Sequence, residues 1–321
     1  MHNILLSNHV VVFLFVEVVV LLLQLVAFLF TFQILKSWDF KSNSSLQYKL
    51  EKRAYLVVLI VFFSILVKIF MLPYFAFGID NLSNIVPGAM CAAGVIGAND
   101  YGQPLLNLKI IILLLMGIWL ILNDKDIKAK EYPYFKSKMW IFIGIFILIV
   151  VEFILDILYY TNISTEALVL CCSTIYGAVE GTGLPFNLDV PKLLILFYLL
   201  YILVMVVNFQ KQALLSMLAN GFFMVIAYYS VVYFFGTYVY ELPTHQCPFC
   251  MLQSDYYYIG YVIWANLFLG VFFGIASYAL QLLLKKQQNS MFTYSTIFVS
   301  IFVFICTFYV VRYYLVNGVW L

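Results

Sequence analysis

Eight long apolar runs dominate the sequence and limit the folds that are open to it. They cover approximately residues 10–36, 54–78, 105–122, 139–161, 191–208, 213–236, 257–282 and 292–316. Each run is close to the roughly 20 residues that an α-helix needs to cross the hydrocarbon core of a bilayer. The sequence therefore predicts an all-α, polytopic membrane bundle of about eight transmembrane helices, with the lipid bilayer as its surroundings.

Composition argues against the other broad classes of protein. Only 10% of the residues are charged, whereas soluble domains carry roughly a quarter, so the chain cannot cover a water-facing surface. No basic groove or Arg-rich face is present, which makes nucleic acid an unexpected partner. The first apolar run is too long for the core of a signal peptide, and we expect it to be the first span.

The segments between the apolar runs differ sharply in charge. Lysine and arginine concentrate after the first, third, fifth and seventh runs, at Lys36, Lys41, Lys49, Lys52, Arg53, Lys125, Lys128, Lys130, Lys136, Lys138, Lys211, Lys285 and Lys286. The segments near 79–104, 162–190 and 237–256 contain neither residue. Positive charge favours the cytoplasmic side, so we expect these three loops and both termini outside. In a bacterial inner membrane they would face the periplasm.

A short pattern recurs in the first and third outer loops. Both copies read Phe-Gly, a loop, Pro-x-x-x-Cys and a tyrosine ten positions later, at Phe77, Gly78, Pro87, Cys91 and Tyr101 and at Phe235, Gly236, Pro243, Cys247 and Tyr257. This pattern predicts two parallel four-helix repeats, at 1–161 and 191–321, joined by an outer loop at 162–190. Coincidence among loops rich in proline, glycine and aromatic residues is the alternative.

Five of the six cysteines fall in the predicted outer loops, at Cys91, Cys171, Cys172, Cys247 and Cys250. Disulfides form and persist in the oxidising compartment that those loops would face. Cys247-Pro-Phe-Cys250 precedes an apolar run, and a cysteine at a helix start gains thiolate character from the unpaired backbone N–H groups. This favours reversible dithiol oxidation. A metal site of His245, Cys247 and Cys250, or a static disulfide, also fits a lone Cys-x-x-Cys.

The segment from His245 to Gly270 resembles part of a known family. Cys247-Pro-Phe-Cys250-Met-Leu-Gln253 is similar to the Cys-Pro-x-Cys-x-x-Gln-Arg segment of the disulfide-bond-formation protein B family, with Ser254 in place of the arginine. Vitamin K epoxide reductases are similar to this family in their general mechanism. The resemblance implies that Cys247 and Cys250 pass electrons to a membrane quinone beside Gln253, and that a periplasmic thioredoxin-like protein is the partner. Tyr257 belongs to an aromatic cluster that would receive the quinone or form an interfacial belt.

The remaining outer cysteines are candidates for carrying electrons to or from that pair. Cys91 is the repeat counterpart of Cys247, and Lys109 would favour its thiolate. Cys171 and Cys172 are adjacent, so we expect one of them to pair with a more distant cysteine or both to hold a soft metal. Burial as small apolar residues is the alternative for all three.

Several ionisable residues interrupt the apolar runs, among them Glu17, Lys68, Glu152 and Asp156. Glu152 and Asp156 lie four residues apart and share one helix face. Charges at such a depth face a partner or a wet cavity. We expect either a structural pair between Lys68 and a carboxylate or a path for protons.

The sequence as a whole favours an inner-membrane thiol–disulfide oxidoreductase that exchanges electrons between periplasmic thiols and a quinone. Cys247 would be the reactive thiolate and Cys250 its resolving partner. The alternatives are a transporter or assembly factor for copper, zinc or mercury and a non-enzymatic subunit of a membrane complex.

Overall fold

The computed structural model describes residues 4–38, 44–129, 132–169 and 188–321. In these ranges, eight helices are long and apolar enough to cross a membrane. They are α1 Asn8–Ser37, α2 Ser45–Leu82, α4 Gly102–Lys128, α5 Phe135–Thr161, α6 Val190–Gln210, α7 Ala213–Tyr240, α8 Ile259–Leu284 and α9 Asn289–Asn317, and a short helix α3 spans Ala92–Ile96. The predicted all-α polytopic bundle is confirmed.

Several helices continue beyond the apolar runs that predicted them. The largest difference is at α2, which begins at Ser45 rather than near residue 54. Ser44 caps this end, because its Oγ accepts a hydrogen bond of 3.2 Å from the backbone N–H of Gln47. The first turns of α2 are polar, so hydropathy detects only the part of the helix that crosses lipid.

The chain packs as two compact units. The first comprises Met1–Pro87 and Val95–Ala167, and the second comprises Gly88–Gly94 and Leu168–Leu321. In the first unit, the apolar core contains large side chains such as Trp119, Phe142 and Met116. The core of the second unit contains Phe197 and Phe223, together with further aromatic and aliphatic residues. The proposed internal repeat remains a prediction.

Two glycines let helices of the second unit approach each other closely. A Cβ atom at Gly274 of α8 would lie 2.2 Å from Nδ2 of Asn220 in α7. A Cβ atom at Gly270 would lie 2.6 Å from Cγ2 of Val299 in α9. Small residues at helix crossings are typical of membrane bundles, where close packing replaces the hydrophobic effect between helices.

The outer surfaces of the long helices are strongly apolar. Exposed side chains in the first unit include Phe15, Leu29, Phe70 and Ile154, and those in the second include Leu199, Phe222 and Phe304. Soluble proteins rarely expose continuous apolar surface on this scale. The exposed faces therefore agree with a lipid environment.

A candidate three-thiol site

Three cysteines that are distant in sequence meet inside the second unit. The Sγ atoms of Cys91 and Cys247 are 3.4 Å apart, and those of Cys91, Cys247 and Cys250 all lie within 4.8 Å of one another. Cys91 and Cys247 are 1% exposed and Cys250 is 8% exposed. We call these three residues the sulfur cluster. No disulfide joins the cysteines of the described ranges.

A tight turn brings Cys91 into the sulfur cluster. Gly88 has a φ of +81°, a left-handed conformation that glycine adopts without steric cost. A Cβ atom there would also lie 2.5 Å from the carbonyl oxygen of Val169. Gly88 therefore allows a turn three residues before Cys91, and α3 begins at Ala92, directly after Cys91.

Two aromatic side chains hold the loop that carries Cys247 and Cys250. The hydroxyl of Tyr240 donates a hydrogen bond to the carbonyl of Cys247 and accepts one of 3.0 Å from the N–H of Met251. The indole N–H of Trp264 donates to the carbonyl of Pro248 at 3.1 Å. Nothing in the sequence was a reason to assign this role to Tyr240 or Trp264. Their proximity to a cysteine motif was the only signal available.

The predicted helix start at the Cys-x-x-Cys is wrong. Cys250 begins a 3₁₀ turn, Cys250–Leu252, and a second 3₁₀ turn follows at Ser254–Tyr256, whereas α8 begins only at Ile259. Tyr257 and Tyr258, the two residues directly before α8, both have positive φ, so the helix does not extend back to the cysteines. Met251 packs against Gly260, where a Cβ atom would lie 2.5 Å from the Met251 Cγ atom. The helix dipole invoked for Cys247 is therefore not available from α8.

The neighbours of Cys91 in the sulfur cluster favour its thiolate. Hydrogen bonds from the thiols of Cys247 and Cys250 lower the pKa of Cys91 to about 2, and the backbone N–H groups of Ala93 and Gly94 act in the same direction against burial. Lys109, which was expected to favour this thiolate, donates to Glu152 and Asp156 in the first unit. Thiol donors, rather than an ammonium group, stabilise the negative sulfur.

The other candidate residues lie around the loop in different roles. His245 packs its ring 4.3 Å from that of Tyr240, burial lowers its pKa, and it does not join the group of three sulfurs. Gln253 donates to the carbonyl of Met90 at 3.5 Å, the limit of a hydrogen bond. Tyr257 is 92% exposed. Cys171 and Cys172 lie outside the described residues.

The ionisable residues of the first unit form a separate polar group. Lys68 pairs with Glu17 and Glu152, as the structural interpretation of these residues expected. Lys109 extends the group by pairing with Glu152 and Asp156. Sequence reasoning placed Glu152 and Asp156 on one helix face, and that face meets Lys109.

No protein-family model matches the chain, and no curated protein or solved structure matches it either. The resemblance of the segment from His245 to Gly270 to the disulfide-bond-formation protein B family therefore stays a prediction. The chemistry of the sulfur cluster is therefore the main evidence for a function.

Proposed function

We propose that this protein is a membrane thiol–disulfide oxidoreductase whose reacting centre is the sulfur cluster. The observation that carries the proposal is the 3.4 Å separation between the Sγ atoms of Cys91 and Cys247, with Cys250 in the same group. Thiol–disulfide exchange needs an attacking sulfur, an attacked sulfur and a leaving sulfur. Cys91, Cys247 and Cys250 supply one residue for each of these roles.

The oxidation step would join Cys247 to Cys250. Their two S–H bonds break, one S–S bond forms, and two electrons and two protons pass to a quinone, which becomes a quinol. In the exchange step, the Cys91 thiolate attacks the Cys247 sulfur. The Cys91–Cys247 bond then forms and Cys250 leaves as the thiolate.

Burial of the sulfurs supports a small apolar electron acceptor. Cys91 and Cys247 are almost inaccessible to water, so a soluble protein cannot reach them without a conformational change or an intermediate carrier. A quinone from the bilayer is the acceptor we propose, with Gln253 and Tyr257 as candidate contacts. Cys171 and Cys172 are the proposed carriers to a periplasmic thioredoxin-like protein, with the protein in a bacterial inner membrane.

Trapping of disulfide-bonded states tests this proposal in the full-length, membrane-embedded protein. The Cys250→Ser variant cannot form the Cys247–Cys250 bond, so oxidation should accumulate a Cys91–Cys247 disulfide, detected by mass spectrometry of alkylated peptides. The wild-type protein should instead give both pairings in proportions that change with the redox state.

The matched control is Cys306→Ser, which removes a buried cysteine outside the sulfur cluster. It should leave both disulfides unchanged. Combining Cys250→Ser with Cys171→Ser and Cys172→Ser excludes pairing with the adjacent cysteines. If the alkylation of Cys91, Cys247 and Cys250 is the same under oxidising and reducing conditions, the protein is not an oxidoreductase of this kind.

A soft-metal site is the second candidate, because three buried sulfurs lie within 4.8 Å of one another. Thiolates favour Cu(I) and Zn(II), and three-coordinate thiolate binding suits Cu(I). In this set Cys91 would take the place that the sequence assigned to His245, beside Cys247 and Cys250. The purified protein would carry about one equivalent of metal by elemental analysis, and Cys91→Ser would lose it. A metal-free protein with redox-dependent disulfides would leave only the first candidate.

A further inference from the structure

Five charged side chains form a continuous chain of ion pairs inside the first unit. The order is Glu17, Lys68, Glu152, Lys109 and Asp156, with successive N–O distances of 2.7, 2.7, 2.8 and 2.9 Å. We call these five residues the charge network. They come from α1, α2, α4 and α5, and each is at most 5% exposed.

The charge network contains more acidic than basic groups. Three carboxylates face two ammonium groups, which leaves one negative charge without a counterion. In the described part of the chain, no other lysine or arginine forms an ion pair with these carboxylates. A net charge buried among apolar helices is costly, and ionisable groups there tend to mark paths for ions or protons.

Among the described residues, one fully buried oxygen atom of the network has no hydrogen-bond donor. Asp156 is fully buried, and its Oδ2 atom accepts from Lys109 at 2.9 Å. Its Oδ1 atom is buried without a hydrogen-bond partner among the described residues. The three carboxylates of the network are close together, since one oxygen atom each of Glu17, Glu152 and Asp156 lies within 4.8 Å of the others. The excess charge and the unpaired oxygen therefore occur in the same group.

We propose that the charge network is a proton-binding site that takes up one proton at Asp156. The proton comes from water and forms the O–H bond of a carboxylic acid at Oδ1, which removes the excess negative charge. A carboxylate pair that cannot ionise completely at short distance shares a proton in the same way.

The size of the adjoining space favours a proton over a hydrated metal ion. Glu17, Lys68, Lys109 and Glu152 line a cavity of about 10 Å³ together with apolar side chains, which is room for about one water molecule. The ammonium groups of Lys68 and Lys109 line this cavity and would repel a metal cation in it. A proton neutralises the site without adding volume.

Every packed element contributes groups that would influence this protonation. Lys109 donates a hydrogen bond to Asp156 and another to Glu152. The ammonium group of Lys109 also lies 4.8 Å from the ring centres of Phe13 and Phe75. The other ionisable groups that face the site are Glu17 of α1, Lys68 and Tyr74 of α2, and Tyr159 and Tyr160 of α5. The hydroxyl of Tyr159 donates to the carbonyl of Val95 rather than to Asp156.

Infrared spectroscopy of the full-length protein in lipid nanodiscs tests this site without reference to the thiol chemistry. The wild-type protein should show the C=O band of one protonated carboxyl group per chain, and isotope-labelled aspartate should shift it. Asp156→Asn should abolish the band. Glu166→Gln, which changes an exposed carboxylate of the first unit, should retain it.

The labelled wild-type protein decides the question even if Asp156→Asn does not fold. Absence of an aspartate-sensitive band at every pH at which the protein stays folded would overturn the proposal. So would a band that survives in folded Asp156→Asn. If sodium ions at constant pH raise the melting temperature of the wild-type protein but not of that variant, the site binds a metal cation instead of a proton.

Discussion

The two units of this protein place opposite kinds of polar group in their interiors. The first unit buries the charge network and a further ion pair between Lys138 and Asp126. Apart from the sulfur cluster, the second buries neutral groups, in which Ser216 donates to Asn208 at 2.6 Å and Ser295 donates to Asn220 at 3.1 Å. The contrast matters because an unpaired ion in a low-dielectric interior costs much more than an unpaired hydroxyl or amide.

Removal of one ammonium from the charge network should give the largest effect. Lys68→Met leaves Glu17 and Glu152 without their shared partner and should destabilise the protein by about 3–5 kcal/mol, the typical cost of breaking a buried ion pair. Unfolding in detergent measures this change. Lys128→Met, which breaks an exposed pair with Asp124, should cost less than about 0.5 kcal/mol. Equal effects would mean that burial of the network does not matter.

Loss of the Tyr240 hydroxyl should give the next largest effect. Tyr240→Phe leaves the carbonyl of Cys247 and the N–H of Met251 without their shared partner. The expected cost is about 2–3 kcal/mol, since two buried groups each lose this partner and each loss costs at least about 1 kcal/mol. Alkylation of Cys247 by a small reagent should also become faster. Tyr257→Phe is the control, because that side chain is exposed, and it should change neither quantity.

A methyl group at Gly274 should have a smaller effect on the second unit. Gly274→Ala forces α8 away from Asn220 and should destabilise the protein by about 1–2 kcal/mol, as overpacking does. Gly221→Ala is the matched control, since a Cβ atom there meets nothing within 4 Å. That change should stabilise the helix by about 1 kcal/mol. If both variants were stabilised, close packing at Gly274 would not hold these helices together.

The smallest effect is expected from a neutral hydrogen bond of the second unit. Ser216→Ala removes the donor to Asn208 and should cost about 0.6–1 kcal/mol, the range measured for such bonds between membrane helices. Ser254→Ala changes an exposed hydroxyl and should be silent. A loss for Ser216→Ala as large as that for Lys68→Met would abolish the distinction between a charged and a neutral interior.

The sequence predicts the spans correctly but not the local structure around Cys247 and Cys250. The eight apolar runs were readable because span length and hydropathy are local properties of the chain. The helix start at Cys247 was wrong because the chain after Cys250 turns through two residues with positive φ, Tyr257 and Tyr258. Non-glycine residues rarely adopt that conformation, so two tyrosines in a sequence do not indicate it.

The charge network likewise combines one feature that the sequence predicts with another that it does not. Glu152 and Asp156 could be placed on one face from their spacing alone. Their pairing with Lys109 could not, because it depends on how α4 and α5 are rotated against each other. From its position near a helix end, Lys109 was predicted to favour the thiolate of Cys91. Its ammonium group instead forms ion pairs with Glu152 and Asp156.

The sequence by itself determined that this chain forms apolar helices of membrane-spanning length and that five of its six cysteines lie in the segments between the apolar runs. Only the tertiary structure decided which side chains meet. Cys91 and Cys247 are 156 positions apart and their sulfurs are 3.4 Å apart. A helical span follows from the solvation of about 20 neighbouring residues, but a contact between distant residues follows from the packing of whole elements, which hydropathy does not encode.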